Sequence, residues 1–255
     1  LGYEVHLFEQ DEKGGGFMRS QIPAFRLPEE VLDEEVDRIL DMGVHCHFGQ
    51  EITSMKAMMD MNFDADFVGT GAPRGRDLEL KGREEVDKHI HIGIDWLSSV
   101  AFGHITEMKG KVIVMGGGNT AMDCCRTSLR LGAESVSVVV RSAFEVMKAS
   151  EWEKEDAMRE GIPIINNRPP KEFVHKDGKL QGVLFECVTP VKGEDGGLRY
   201  EPSGEPDVFI EADHVLMAIG QDNHCPWIER DLGIEFDKWD CPTLNELTLQ
   251  TTNPK

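Results

Sequence analysis

The apolar positions of the chain change period several times, and the changes map its elements. From Tyr3 to Glu9 they alternate and then fill, as in a buried strand, and the run ends in an acid before the glycine-rich EKGGGFM. From Glu29 to Met42 the residues Val31, Leu32, Val36, Ile39 and Leu40 recur at helical spacing behind Pro28, and Gly43 closes the pattern. The segment ADFVGTGA, Ala65 to Ala72, reads as a short strand entering a Thr-Gly turn, and PRGRDLELKGRE after it reads as a linker. From Lys111, KVIVMGGGNTAMDCCRTSLRLGAESVSVVVR predicts a strand, a glycine turn, a helix closed by Gly132 and a second strand, a complete βαβ unit. A helix from Ser150 to Glu160 follows, then a strand entering Ile162 to Ile165, hairpins around KDGKLQGVLFECV and GEDGGLRYEPSG, and a closing strand, DHVLMAIG. The tail from Gln221 to Lys255 is polar and predicts no further packed element.

The glycine turn brings chemistry with it. In GGGNTA, Gly116 and Gly118 let the backbone turn tightly and approach a pyrophosphate, Ala121 lets helix and strand pack closely, and the helix N-terminus offers N–H donors. The turn follows a strand, opens a helix and leads to a second strand, which is the setting of a dinucleotide fingerprint. An acid at the end of that second strand would hold the ribose 2′-hydroxyl of NAD, whereas Arg141 favours the extra phosphate of NADP. Lys148 reads either as a second phosphate contact or as a solvated surface group. Glu9 ends its strand where a carboxylate accepts from an adenosine ribose, with Gly15 and Gly16 following. The strand, glycine turn and helix expected before Glu9 are not in the sequence. The predicted fold is therefore α/β, with two dinucleotide-binding Rossmann-like domains, and the family resemblance given below implies an FAD domain truncated at both ends.

Composition narrows the partners. A formal net charge of -20 opposes binding to nucleic acid or to an anionic membrane surface. No stretch approaches the roughly 20 apolar residues that a membrane helix needs. The six cysteines show no CxxC spacing, so neither a zinc site, an iron–sulfur cluster nor the dithiol of a thioredoxin reductase type is written here, and a reducing cytoplasm is the simplest setting. His45 and His47 alternate onto one strand face, but no third ligand is near in sequence, and no metal is expected. Cys124 and Cys125 read as core. Arg74, Arg76, Lys81 and Arg83 read as a solvated linker or as a patch for an acidic ferredoxin. Hydride transfer between nicotinamide and flavin needs no protein acid or base at its first step, so no catalytic residue is assigned.

The segments GGGFMRSQIPAFRLPEEVLDEEVDRILDMGV, FVGTGA, VIVMGGGNTAMDCCRTSLRLGAESVSVVVR and VLMAIGQ, taken in order, resemble the NADPH-glutamate synthase small (beta) subunit family and the N-terminal electron-input part of dihydropyrimidine dehydrogenase. The resemblance implies an FAD domain interrupted by an NADPH domain: residues 1–103 as partial FAD domain and linker, 104–222 as the inserted NADP domain, and 223–255 as the return to the FAD domain. It places flavin contacts on Glu9, Gly16, Phe17, Arg26, the backbone at Ile52, Thr70 and Gly71. It places NADP(H) contacts on Gly118, Asn119, Thr120, Ala121, Arg141, Ala218, Ile219 and Gly220, with Lys148 matching only the dihydropyrimidine dehydrogenase branch. Ser142 departs from the pattern, standing where many relatives carry a second arginine. The implied function is hydride transfer from NADPH to FAD, with electrons passed singly to an iron–sulfur protein or a larger oxidoreductase subunit. The alternative is a nucleotide-binding fragment without turnover of its own.

Overall fold

A computed structural model describes residues 2–193 and 197–254, and the chain gathers into two compact units.

The smaller unit comprises residues 1–19, 27–74 and 221–255. Its strand β1 (Val5–Glu9) runs parallel to β2 (Val44–Phe48), in register from Val5 opposite Val44 to Glu9 opposite Phe48. Helix α1 (Glu29–Leu40) links them. It starts behind Pro28, whose φ of -56° suits a helix entry, and it buries Leu32. Helix α2 (Met55–Met59) is capped by Ser54, whose hydroxyl oxygen accepts from the Ala57 N–H at 3.1 Å. Met55 packs with Ile228 and Ile234 in a small core fringed by Trp227, Leu232 and Phe236. The tail, expected to lack a packed element, thus supplies most of a core. Its apolar residues follow neither the strand nor the helix period, which hides them from pattern reading. Ala65 to Ala72 is the reverse case: it forms no ladder among the described residues, because an apolar run becomes a strand only beside a neighbour that takes its hydrogen bonds.

The larger unit comprises residues 20–26 and 75–220. In chain order it holds β3 (Ile90–Ile92), α3 (Gly93–Ala101), β4 (Lys111–Met115), α4 (Asn119–Arg130), β5 (Ser135–Val139), α5 (Glu151–Arg159) and β6 (Ile164–Ile165). Then come β7 (Pro170–Lys176), β8 (Lys179–Phe185), β9 (Val188–Lys192), β10 (Leu198–Pro202), β11 (Val208–Glu211) and β12 (His214–Met217). Five strands make a parallel sheet in the order β3-β12-β4-β5-β6, and an antiparallel sheet has the order β11-β8-β7. Strand β4 shows why the parallel sheet is apolar throughout. Val112 and Val114 face a core shared with Trp96 of α3, Met122 of α4 and Ala157 of α5, while Ile113 and Met115 face Phe173, Val183 and Phe185 of the antiparallel sheet. Helices therefore cover one face of the sheet and strands the other.

The hairpin between β7 and β8 turns at Asp177 and Gly178, both at positive φ (52° and 76°), as the expected Asp-Gly signal requires. The turn expected within GEDGGLRYEPSG lies partly outside the described residues. The segment read as a linker is a packed strap. Leu78 and Leu80 join the core under β7, the Phe173 N–H donates to the Lys81 carbonyl at 2.9 Å, and a Cβ on Gly82 would stand 2.1 Å from the Phe173 oxygen. Its cations are taken up locally, Lys81 by Glu172 at 2.9 Å and Arg83 by Asp77 and Asp87 at 2.8 Å each. No free basic patch results from these two residues. Among the described residues no helix is long and apolar enough to cross a membrane.

Candidate functional site

The parallel strands all end at one edge of the sheet, and there the glycine turn meets β12. At Gly116 φ is +142°, and a Cβ would lie 2.0 Å from the Ala218 carbonyl oxygen, so only glycine lets the two strand ends sit side by side. The Ala218 N–H donates to the Met115 carbonyl at 2.8 Å across the same junction. Ile219 and Gly220 follow, Gly220 at φ +130°. A Cβ on Gly117 would press Val140 at 3.0 Å, whereas one on Gly118 would meet nothing within 4 Å. Gly118 thus opens onto free space at the start of α4, where no side chain caps the helix. The N–H groups of Asn119 and Thr120 are the orphan donors of a helix N-terminus, carrying its partial positive charge, while the Ala121 N–H donates to the Gly118 carbonyl at 3.0 Å. Ala121 is wholly buried against the sheet.

The loop between β5 and α5 is fastened to this turn. The Ala149 N–H donates to the Gly117 carbonyl at 2.9 Å, the Ser150 N–H donates to Asn119 Oδ1 at 2.9 Å, and Asn166 Nδ2 donates to the Ser142 carbonyl at 3.0 Å. Arg141 and Lys148 stand exposed on that loop, and neither has an ion-pair partner among the described residues. Asn119 therefore holds the loop with its side-chain oxygen and meets the open space with its backbone. One contributor escaped sequence reading: α3 begins at Gly93 on the same edge, where a Cβ would stand 3.1 Å from the Met217 oxygen and 3.0 Å from Cys124 Sγ. Alternation at Ile90 and Ile92, followed by Gly93 and helically spaced Ile94, Leu97 and Ala101, was the available signal.

Beneath the turn lies a buried ionic cluster. Arg26 Nη1 donates to both oxygens of Asp123 at 2.7 Å, Arg26 Nε pairs with Glu153 at 2.7 Å, and Arg126 reaches Glu153 at 2.8 Å. The guanidiniums of Arg126 and Arg130 lie 4.9 and 4.0 Å from the ring centre of Phe25. Burial pushes the Asp123 carboxyl up to about 6, the charge of Glu153 adds to this, and the Arg26 hydrogen bonds oppose it without winning. Arg26, which the resemblance gives to the flavin, is committed here to two carboxylates. Burial also pushes the Cys124 thiol well up and that of Cys125 to about 12, so neither is a ready nucleophile.

In the smaller unit Glu9 closes β1. Its Oε1 accepts from the Asp11 N–H at 3.1 Å, and the Gln50 N–H donates to its carbonyl at 2.9 Å, setting Ile52 just beyond the paired strand ends. Gly16 at φ +46° and Gly71 at φ +72° both border free space. Phe17 opens the one-turn helix Phe17–Ser20 and is exposed, as is Thr70.

The model of the pyridine nucleotide-disulphide oxidoreductase family matches residues 18–255. The chain belongs to that family. Among its relatives, the NADPH-Fe(3+) oxidoreductase subunit beta of Geobacter sulfurreducens is 34% identical over 247 residues, covering 93% of this chain and 36% of the relative. The NADP(+)-dependent formate dehydrogenase subunit beta of Moorella thermoacetica is 31% identical over 261 residues, covering 99% of this chain and 36% of the relative. The chain thus spans little more than a third of the length of these relatives, and neither bears the glutamate synthase name. Two solved structures share the fold. Mycobacterium tuberculosis FprA in complex with NADPH superposes with a TM-score of 0.73 at 15% identity, over 92% of this chain and 66% of the other. T. acidophilum thioredoxin reductase gives 0.65 at 17% identity, over 99% and 80%. The expected two-dinucleotide-binding flavoprotein fold is the fold of this family.

Proposed function

We propose that this chain is the NADPH-to-FAD electron-input module of a larger oxidoreductase. The observation that carries the reading is the open space at Gly118, bounded by the N-terminus of α4 and by a fastened loop bearing two uncommitted cations. In this reading the first-turn N–H groups of α4 hold the pyrophosphate, and Arg141 and Lys148 hold the 2′-phosphate. Gly116 and Ala218 keep the strand ends close enough for the backbone beyond β12 to border the nucleotide. In the smaller unit the Glu9 carboxylate accepts from the adenosine ribose of the flavin cofactor, and the bare backbone at Gly16 and Gly71 admits its close approach. Bound together, the two cofactors supply a hydride donor and an acceptor able to release electrons singly. The residues bind and orient, and none is required as acid or base.

The acceptor of those electrons is another subunit or an iron–sulfur protein, a reading supported by two relatives named as beta subunits of oxidoreductases. A glutamate synthase type of acceptor is the finer version, supported by the motif resemblance. Anaerobic titration of the purified chain with NADPH and with NADH, following flavin absorption, tests the proposal. Bleaching at lower NADPH than NADH is expected. Saturable NADPH binding without bleaching would reduce the chain to a nucleotide-binding fragment, and equal response to both nucleotides would remove the role given to Arg141.

A further inference from the structure

Four side chains unused by the nucleotide site meet in the smaller unit. Parallel register sets His6 of β1 beside His45 of β2, and strand alternation puts His47 on the same face. The His6 ring centre lies 4.8 Å from that of His45 and 5.3 Å from that of His47, both stacked. Glu4, just ahead of β1, reaches the same point: its Oε1 is 3.3 Å from His6 Nε2 and 3.7 Å from His45 Nε2. One donor atom from each of Glu4, His6 and His45 falls within 4.8 Å of the others. We propose that Glu4, His6 and His45 bind one divalent transition-metal ion, zinc foremost, with His47 orienting His6.

The distances suit an ion. Zinc bonds of about 2.0–2.1 Å at tetrahedral angles set neighbouring ligand atoms roughly 3.3 Å apart. The carboxylate–imidazole separations stand at or slightly above that spacing, and small side-chain rotations close the rest. Two imidazole nitrogens and one carboxylate oxygen form the donor set of an open zinc site, leaving the fourth position to water.

His47 adds the outer contact such sites carry. His6 Nδ1 lies 3.0 Å from His47 Nε2. In the tautomer whose Nδ1 proton goes to His47, His6 Nε2 would turn its lone pair toward the Glu4 carboxylate, the arrangement a metal ion between them would use. Phe63 packs against the His6 ring at 5.0 Å between centres, while Glu4 and His45 remain exposed and give the ion a way in. The expectation of no metal rested on the want of a third ligand beside His45 and His47 in sequence. The register supplies His6 and Glu4 from the neighbouring strand.

The test uses the 255-residue chain, stripped with a chelator and dialysed. It is titrated with Zn2+ against a chromogenic chelator, and with Co2+ under visible spectroscopy. Binding of one ion per chain is expected, with the intense visible bands of low-coordinate cobalt. Glu4→Gln and His45→Ala change exposed residues and leave the metal-free thermal midpoint in place, and each should weaken Zn2+ binding at least tenfold. His47→Ala should weaken it by about 10–100-fold, as loss of an outer-shell partner does. Zinc should raise the midpoint of the unaltered chain and raise that of Glu4→Gln by clearly less at the same zinc concentration. No saturable binding, or binding that Glu4→Gln and His45→Ala leave intact, overturns the assignment.

Discussion

Gly116 admits no side chain, since its left-handed φ and its contact with the Ala218 oxygen both exclude a Cβ. Gly116→Ala should cost about 2 kcal/mol or more in urea unfolding and weaken NADPH binding as the strand ends part. Arg141 is the opposite case, exposed and unpaired. Arg141→Ala should leave the unfolding midpoint unchanged while lowering NADPH affinity by about 10–100-fold, the worth of a charge-assisted phosphate contact, with NADH affinity unmoved in the same titration. Arg26 is structural in this account. Arg26→Ala strips the buried Asp123 carboxylate of its direct partner and leaves Glu153 to Arg126 alone, and should destabilise by about 3 kcal/mol. Asp123 gives the cluster a pH signature. Its carboxyl sits near 6 in the fold against 3.8 for the ordinary group, so the folded chain binds the extra proton between those values and stability falls as pH rises through that window. Two pH units correspond to about 3 kcal/mol at most. Urea unfolding at pH 4.5 and at pH 7 should therefore show the native chain losing ground to Asp123→Asn as pH rises, and an unchanging difference would deny the raised value.

The elements divide by how local their causes are. The βαβ unit from Lys111 to Val139 was legible because strand period, glycine turn and helix closure at Gly132 are all written within one stretch of chain. The Asp177-Gly178 hairpin was legible for the same reason. What the sequence hid depends on distant partners: β3 needs β12, the strap needs Phe173 of β7, and Trp227, Ile228 and Ile234 become a core only against Met55. The candidate site shows the same split. The tight turn at Gly116 and the place of Arg141 just past the end of β5 were readable from position, but the commitment of Arg26 to Asp123 joins residues 97 apart in sequence, and nothing local marks it. The strap offers a direct check. A side chain at Gly82 meets the Phe173 oxygen at 2.1 Å with φ at +84°, so Gly82→Ala should cost about 2 kcal/mol or more in stability while NADPH affinity, measured on the folded protein, stays within twofold.

At the scale of the whole chain, the charge of -20 means that nothing anionic is drawn in from a distance. In the function proposed above, nucleotide binding therefore relies on short-range donors, the helix N-terminus and two cations on one loop. The order of the parallel sheet has a consequence in time. Strand β12 lies inside the sheet, between β3 and β4, yet it is the last of the five strands to be synthesised, and β3 pairs with no other strand of that sheet. Until residue 217 has emerged from the ribosome, β3 has no partner and β4 shows a bare apolar edge on that side. The nascent larger unit is thus a sheet awaiting its second strand, and β3 can join it only when the last of the five arrives.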